Sequence, residues 1–154
     1  MLPASATRVP AHTAEHLNER IQRQTEASIA YYAAIAPEAI DKRLEELDRE
    51  WDIERTLEAN AAALSLFGLI MGASVNRRWF AFPAVITGFL LQHALQGWCP
   101  PVPVFRRLGY RTRFEIDRER YALKYLRGDF DGLRMTTQPE NRQEIKRIYE
   151  AVSR

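Results

Sequence analysis

Five polar residues could take part in chemistry because they stand near one end of two apolar runs, Ala61–Val75 and Trp79–Trp98. The connection between the runs is short, so the two helices pair in antiparallel orientation. This pairing places five polar residues in one layer: Glu58, Asn60, Gln92, His93 and Gln96. Polar groups within a membrane are costly, so such a layer either supports a function or joins helices by hydrogen bonds. The functional hypothesis makes His93 a proton acceptor, or a ligand of a pigment or haem. The structural alternative is a belt of interhelical hydrogen bonds.

Cys99 is a second candidate, in the sequence Gly97-Trp98-Cys99-Pro100 that follows the second run. Positive charge near a thiol lowers its pKa and favours the thiolate. Four arginines follow closely, at Arg106, Arg107, Arg111 and Arg113. This arrangement would suit a thiol that reacts with sulfur species or redox signals, and the alternative is a cysteine packed in a rigid turn. A chain with one cysteine forms no internal disulfide, which is compatible with a reducing compartment.

Other kinds of site find little support in the sequence. His12-Thr-Ala-Glu15-His16 matches the H-x-x-E-H zinc pattern, but no third ligand accompanies it. Glu54 and Glu58 share a helix face without the Glu-x-x-His partner of a di-iron site. There is no Gly-rich phosphate loop, no Ser-His-Asp set and no nucleic-acid module, and the arginines lack the aromatic residues that stack on bases. We therefore predict a protein that is not an enzyme, has no metal and no cofactor, and does not bind nucleic acid.

The two apolar runs are the elements that must position these residues. Neither run contains a charged residue, and a tryptophan stands at each end of the second run. About 20 helical residues span a bilayer, and amphipathic rings favour the headgroup level. The three-residue connection Asn76–Arg78 makes the two helices antiparallel neighbours. We predict a transmembrane hairpin over residues 57–98, and the alternative is a buried helical hairpin in a soluble domain.

Small residues predict how the hairpin packs. Gly68 and Gly72 form a GxxxG pair that Ser65 extends, and Ala84 and Gly88 form a similar pair on the second helix. Close backbone approach at such residues stabilises helix pairs in lipid. The pattern predicts a packing interface, either inside the hairpin or between copies of the chain.

The rest of the chain predicts an all-α protein of four segments. Residues 1–36 hold a tail, loose through Ala11, and a helix, and residues 37–56 form an acidic amphipathic arm. We predict one long helix from Pro37 to Val75. Residues 99–154 hold a basic juxtamembrane segment and C-terminal helices. Capping boxes at Thr112–Glu115 and Thr137–Glu140 mark the starts of these helices.

Charge predicts the orientation of the hairpin. The formal net charge is only +2, but residues 38–58 carry nine acids and four bases, and residues 106–113 carry four arginines and no acid. Basic flanks stay cytoplasmic, so we expect both termini there and the connection outside. The arginines would meet anionic lipid headgroups or pair with the acidic arm.

The sequence from about Ile53 to Gly109 resembles the YgaP-like transmembrane domain. The resemblance rests on the helical hairpin, the Gly97-Trp98-Cys99-Pro100 end and the nearby Leu108-Gly109 pair. It implies a multi-pass protein of the bacterial inner membrane that oligomerises, without an established activity. We expect an anchoring or accessory subunit whose partners are membrane lipids and other copies or subunits of a membrane complex. The alternatives are a sulfur- or redox-linked protein that uses Cys99 and a small-solute or proton conduit that uses His93.

Overall fold

The prediction of an all-α protein is confirmed. The computed structural model describes residues 4–35, 37–131, 133 and 142–153, and these contain helices and no strand. The α-helices in chain order are α1 (Arg8–Ala11), α2 (Glu15–Ala33), α3 (Pro37–Arg49), α4 (Ile53–Ser74), α5 (Ala81–Gln96), α6 (Val102–Leu108), α7 (Arg113–Arg127) and α8 (Arg142–Ser153). A 3₁₀ turn, Arg77–Phe80, leads into α5. The predicted capping box at Thr137–Glu140 lies outside the described residues.

Helices α4 and α5 pack as antiparallel neighbours. The connection turns at Asn76, whose side chain accepts a hydrogen bond from the backbone N–H of Arg78 at 2.9 Å. A Cβ placed on Gly68 would lie 2.7 Å from Pro83 Cδ, and one on Gly72 would lie 2.7 Å from the Phe80 ring. Real Cβ atoms do not approach so closely, so glycine is required for this contact.

The second small-residue pair does not join the two helices. A Cβ on Gly88 would meet nothing within 4 Å, and Ala84 is exposed. Ser65 is half-buried. The GxxxG pair of α4 therefore serves the contact inside the hairpin, while the pair on α5 faces outward.

The prediction of one continuous helix from Pro37 to Val75 is wrong. The helix stops at Arg49, and α4 starts anew at Ile53 with Asp52 as its N-cap, whose carboxylate accepts from the Arg55 N–H at 2.7 Å. The Ile53 N–H donates to the carbonyl oxygen of Arg111 at 2.8 Å. Apolar periodicity continues through the break, but these local and long-range hydrogen bonds make a new helix start more favourable.

Two apolar clusters pack the other helices against one another and against the base of the hairpin. One holds α3 against α7 through Ile40, Leu44, Leu47, Ile116 and Leu123. The other lies beneath the open end of the hairpin and contains Val9, Ile53, Leu57, Cys99 and Val102. The second cluster ties the segments before and after the hairpin to its base.

The segments before and after the hairpin contain two short helices that the sequence does not predict, α1 and α6. The expectation of a loose tail is wrong for residues 8–11, because Val9 is 1% exposed and holds α1 in the cluster beneath the hairpin. The short helix α6 was not expected after three prolines. The capping box of Thr112 and Glu115 is confirmed at the start of α7, which ends before Gly128 in the left-handed conformation, with φ of +88°.

Candidate polar site at the base of the hairpin

Three polar side chains meet at the base of the hairpin with buried atoms that have no hydrogen-bond partner. They are Arg8 of α1, Glu54 of α4 and His93 of α5. The atoms are Nε of Arg8, Oε2 of Glu54, and both ring nitrogens of His93. His93 is only 4% exposed. Buried polar groups are normally hydrogen-bonded, so several such atoms from three helices mark this as the candidate site, which we call the basal polar site.

The end of α5 positions Arg8. Gly97 ends the helix with φ of +80°, a left-handed conformation that favours glycine. The backbone of Arg8 lies so close that a Cβ on Gly97 would be 2.6 Å from it. The Arg8 Nη1 donates to the carbonyl oxygen of Ala94 at 2.9 Å. Gly97 therefore lets α1 dock across the helix end, which brings the guanidinium beside His93.

Burial and charge set the protonation of the site's carboxylate. Burial raises the pKa of Glu54, and the nearby Asp52 adds to the rise, while Arg8 opposes it. Because the net shift is upward, the neutral carboxylic acid is more accessible here than for an exposed glutamate. The site thus holds a permanent cation next to a carboxyl group that accepts a proton more readily than usual.

The predicted polar layer is only partly assembled. Of its five members, His93 is buried and Gln92 is half-buried, whereas Glu58, Asn60 and Gln96 are exposed. The Asn60 Nδ2 donates to the Thr56 carbonyl oxygen of its own helix at 2.8 Å. The carboxylate that lies within the electrostatic reach of Arg8 is Glu54, one turn before Glu58.

An apolar cavity of about 190 Å³ lies just above this site, between α4 and α5. Leu57 in its wall follows Glu54 by three residues, and Leu90 precedes His93 by three residues, so each is about one helical turn away. The full lining is Leu57, Asn60, Ala61, Leu64, Ile86, Phe89, Leu90, Cys99, Pro100 and Pro101. The cavity therefore begins about one helical turn from the unpartnered polar groups, which are not part of its lining.

Cys99 contributes to the cavity wall, but its environment does not favour a thiolate. The side chain is 3% exposed, and burial raises its thiol pKa. The arginines that follow it in sequence do not reverse this effect. The geometry agrees better with a packed cysteine than with a reactive one.

The predicted arginine cluster is mostly engaged in ion pairs beside the hairpin. Arg106 is fully buried and donates to both carboxylate oxygens of Glu115, at 2.7 and 2.8 Å. Arg111 donates to both oxygens of Glu50 in the acidic segment, at 2.8 and 2.6 Å. These two arginines are thus unavailable to lipid headgroups. Arg113 pairs with Asp117 at the surface, and Arg107 is exposed.

A buried carboxylate, Glu119, links three helices. It accepts hydrogen bonds from Ser28 of α2 at 2.6 Å, from Arg43 of α3 at 2.9 Å and from Arg111. Burial alone would raise the pKa of Glu119, but the hydrogen bonds from these three side chains outweigh it and hold the pKa below its usual value. The network fixes α2, α3 and α7 as one unit.

Nothing in the described part of the chain resembles a metal centre. No group of three or more His, Cys, Asp or Glu side chains is placed there to hold an ion. His12 and His16 of the H-x-x-E-H pattern are exposed, and the Nδ1 of His12 is hydrogen-bonded to the carbonyl oxygen of Arg8 at 2.9 Å.

Sequence reasoning found His93 but missed its neighbours. Arg8 lies in a segment that the sequence predicts to be loose, and the sequence marks Glu54 only as a carboxylate that shares a helix face with Glu58. Residues 8, 54 and 93 share no regular spacing in the sequence. The only local signals are Val9, an apolar residue in the N-terminal segment, and Gly97, a glycine at the end of the second apolar run. No family model matches the chain, and neither a curated protein nor a solved structure matches it.

Proposed function

We propose that this chain is a non-enzymatic anchoring or accessory subunit of a membrane complex. In this proposal residues 57–98 span the bilayer as a hairpin, and the helical unit formed by α2, α3 and α7 stands at its base on the cytoplasmic side. The resemblance to the YgaP-like transmembrane domain is part of the proposal and would assign the protein to a bacterial inner membrane.

The apolar surface of the hairpin is the observation that supports the proposal. In the described residues, one helical stretch, Pro37–Ser74, which includes the break before α4, is long and apolar enough to cross a membrane, and 22% of its apolar window is buried. Large apolar side chains are exposed along both helices and their connection, at Leu64, Leu66, Phe67, Leu69, Ile70, Val75, Phe80, Phe82, Val85, Phe89, Leu91 and Leu95. Soluble monomers rarely expose contiguous apolar surface of this extent. Lipid would cover it.

The two ends of the hairpin support the proposed orientation. Arg77 and Arg78 lie at the exposed tip, and the ion-paired helices lie at the base. The positive charge beside the base exceeds that at the tip, which favours a cytoplasmic base. In that arrangement both termini share one aqueous side, which agrees with the packing of α1 and α6 in one apolar cluster.

The outward pair on α5 supports oligomerisation. Ala84 and Gly88 are exposed, and a Cβ on Gly88 would meet nothing within 4 Å. Such small residues permit close approach of another helix in lipid. Copies of this chain, or another subunit, would pack on that face.

Membrane insertion and topology can be tested in one set of single-cysteine variants. In a Cys99→Ser background, we would compare Asn76→Cys at the tip with Ser5→Cys and Glu38→Cys at the base, all exposed positions. We expect the protein to resist alkaline carbonate extraction. A membrane-impermeant maleimide should label only the tip variant in spheroplasts and only the base variants in inverted vesicles. A chain released by carbonate, or base variants labelled on opposite sides, would refute the proposal.

A conduit for protons or small solutes is the second candidate. The buried ring of His93, with neither nitrogen hydrogen-bonded, is the observation that favours it. Two helices do not enclose a path by themselves, so this function requires an oligomer. Proteoliposomes with a pH-sensitive dye would test it: flux should depend on His93, and a flux equal to that of empty liposomes would exclude it.

A further inference from the structure

We propose that the basal polar site and the cavity above it together bind one anionic phospholipid. The phosphate would contact Arg8 and His93, and part of an acyl chain would occupy the cavity between α4 and α5. This inference rests on the proposed membrane function, because the site must lie at the level of the headgroups. It names a specific lipid site where the sequence suggested only general contact through Arg106, Arg107, Arg111 and Arg113.

The unpartnered atoms supply donors suited to an oxyanion. Nε of Arg8 is an obligate donor, and one ring nitrogen of His93 donates in its neutral form. These two donors come from two different helices, and the hydrogen bond from the charged guanidinium to an anionic phosphate would be the stronger of the two.

The neighbouring cavity provides a place for the apolar part of the ligand. Its side walls come from both helices of the hairpin, at Leu64, Ile86 and Phe89 among others, and its floor includes Pro100 and Pro101. The polar groups begin one helical turn below. This succession of apolar and polar lining matches an amphiphile that lies along the helices with its headgroup at the base.

Charge decides between a net anionic and a neutral headgroup. The cation of the site is Arg8, whose Nη1 donates to the carbonyl oxygen of Ala94 and not to a carboxylate. Arg106 and Arg111 differ, since carboxylates already neutralise them. An anionic lipid would supply an anion that accepts hydrogen bonds from Arg8, whereas a zwitterionic lipid brings its own cation.

Native mass spectrometry of the intact chain, released from nanodiscs of equal phosphatidylglycerol and phosphatidylcholine, tests the proposal. We expect one retained phosphatidylglycerol per chain. Arg8→Gln should reduce its retention about fivefold, the effect of one basic residue at an anionic surface. Arg8→Lys should restore the selectivity, and His93→Gln should weaken retention without affecting phosphatidylcholine.

Two controls separate lipid binding from folding and general charge. Arg107→Gln removes an exposed arginine with the same change in net charge and should leave retention unaltered. Docking of α1 is followed by maleimide protection of Val9→Cys in a Cys99→Ser background, because Val9 is 1% exposed. Each variant is also tested by carbonate extraction, so loss of membrane insertion, which would defeat the proposed function, is distinguished from loss of the bound lipid.

Three results would overturn the lipid site. They are equal retention of the two lipids, an equal loss with Arg107→Gln, and unchanged retention in Arg8→Gln with α1 still docked. The last result would mean that the polar atoms are satisfied by water alone.

Discussion

Replacing Glu119 with glutamine should strongly destabilise the helical unit of α2, α3 and α7. The carboxylate is fully buried and receives hydrogen bonds from Arg43, Arg111 and Ser28. Breaking a buried ion pair by removing one partner costs about 3–5 kcal/mol, because a buried charge loses its counter-charge. Arg111 keeps Glu50 and Arg43 keeps Glu46, so we expect a loss at the lower end of this range, about 3 kcal/mol. For a chain of 154 residues, such a loss lowers the melting temperature by roughly 6–12 °C.

Thermal unfolding in mild detergent, followed by far-UV circular dichroism, measures this loss. Glu45→Gln is the matched control, because Glu45 is exposed and its partner Arg49 lies 3.8 Å away at the surface. Exposed ion pairs contribute little, so the control should melt like the native chain. Arg43→Gln should cost less stability in the Glu119→Gln background than in the native chain, because Arg43 and Glu119 are coupled through their ion pair. Equal melting temperatures for Glu119→Gln and Glu45→Gln would refute the reasoning.

The same carboxylate makes the stability of the helical unit depend on pH. Its folded-state pKa lies below the usual value of 4.5, so the unfolded chain binds the proton more readily. The contribution of Glu119 is therefore fully present above about pH 4.5 and is lost as the pH falls through the lower folded-state pKa. The native chain should lose more stability between pH 5 and pH 3 than Glu119→Gln does. Parallel pH profiles would contradict this assignment.

Three further predictions concern single positions. Gly97→Ala should undock α1 and expose the N-terminal segment to protease, because the new Cβ would clash with Arg8. Gly109 has a similar φ of +93°, but a Cβ there would meet open space. Gly109→Ala should therefore lower the stability only by the strain of a left-handed backbone. Gly68→Ala should separate the two helices and lower the melting temperature of the hairpin in detergent, whereas Gly88→Ala should leave the monomer unaffected, and equal effects would contradict the assigned packing. Cys99 should react slowly with maleimide at neutral pH in the folded protein and rapidly after denaturation, since burial raises its pKa; rapid labelling of the folded chain would contradict the packed environment.

Local sequence signals determined much of the secondary structure. Thr112 and Glu115 start α7, Gly97 and Gly128 end helices in the left-handed conformation, and the polar residue Asn76 turns the chain between α4 and α5. These features depend on residues within one or two turns of each other, so their physical cause is visible in the sequence. The apolar runs likewise predict two neighbouring helices with a large apolar surface.

Tertiary structure decided the features that depend on residues far apart in the chain. The break before α4 follows from Asp52 together with the distant Arg111, and the basal polar site joins Arg8 to Glu54 and His93 only because Val9 packs beneath the hairpin. Likewise, Arg106 pairs with Glu115 and Arg111 pairs with Glu119 because the packing of the helices brings these carboxylates to them. A charged residue has the same sequence pattern whether it meets a lipid, water or a buried counter-ion. Only the packing of the helices selects its partner, since the free energy of a buried charge depends on the groups that surround it.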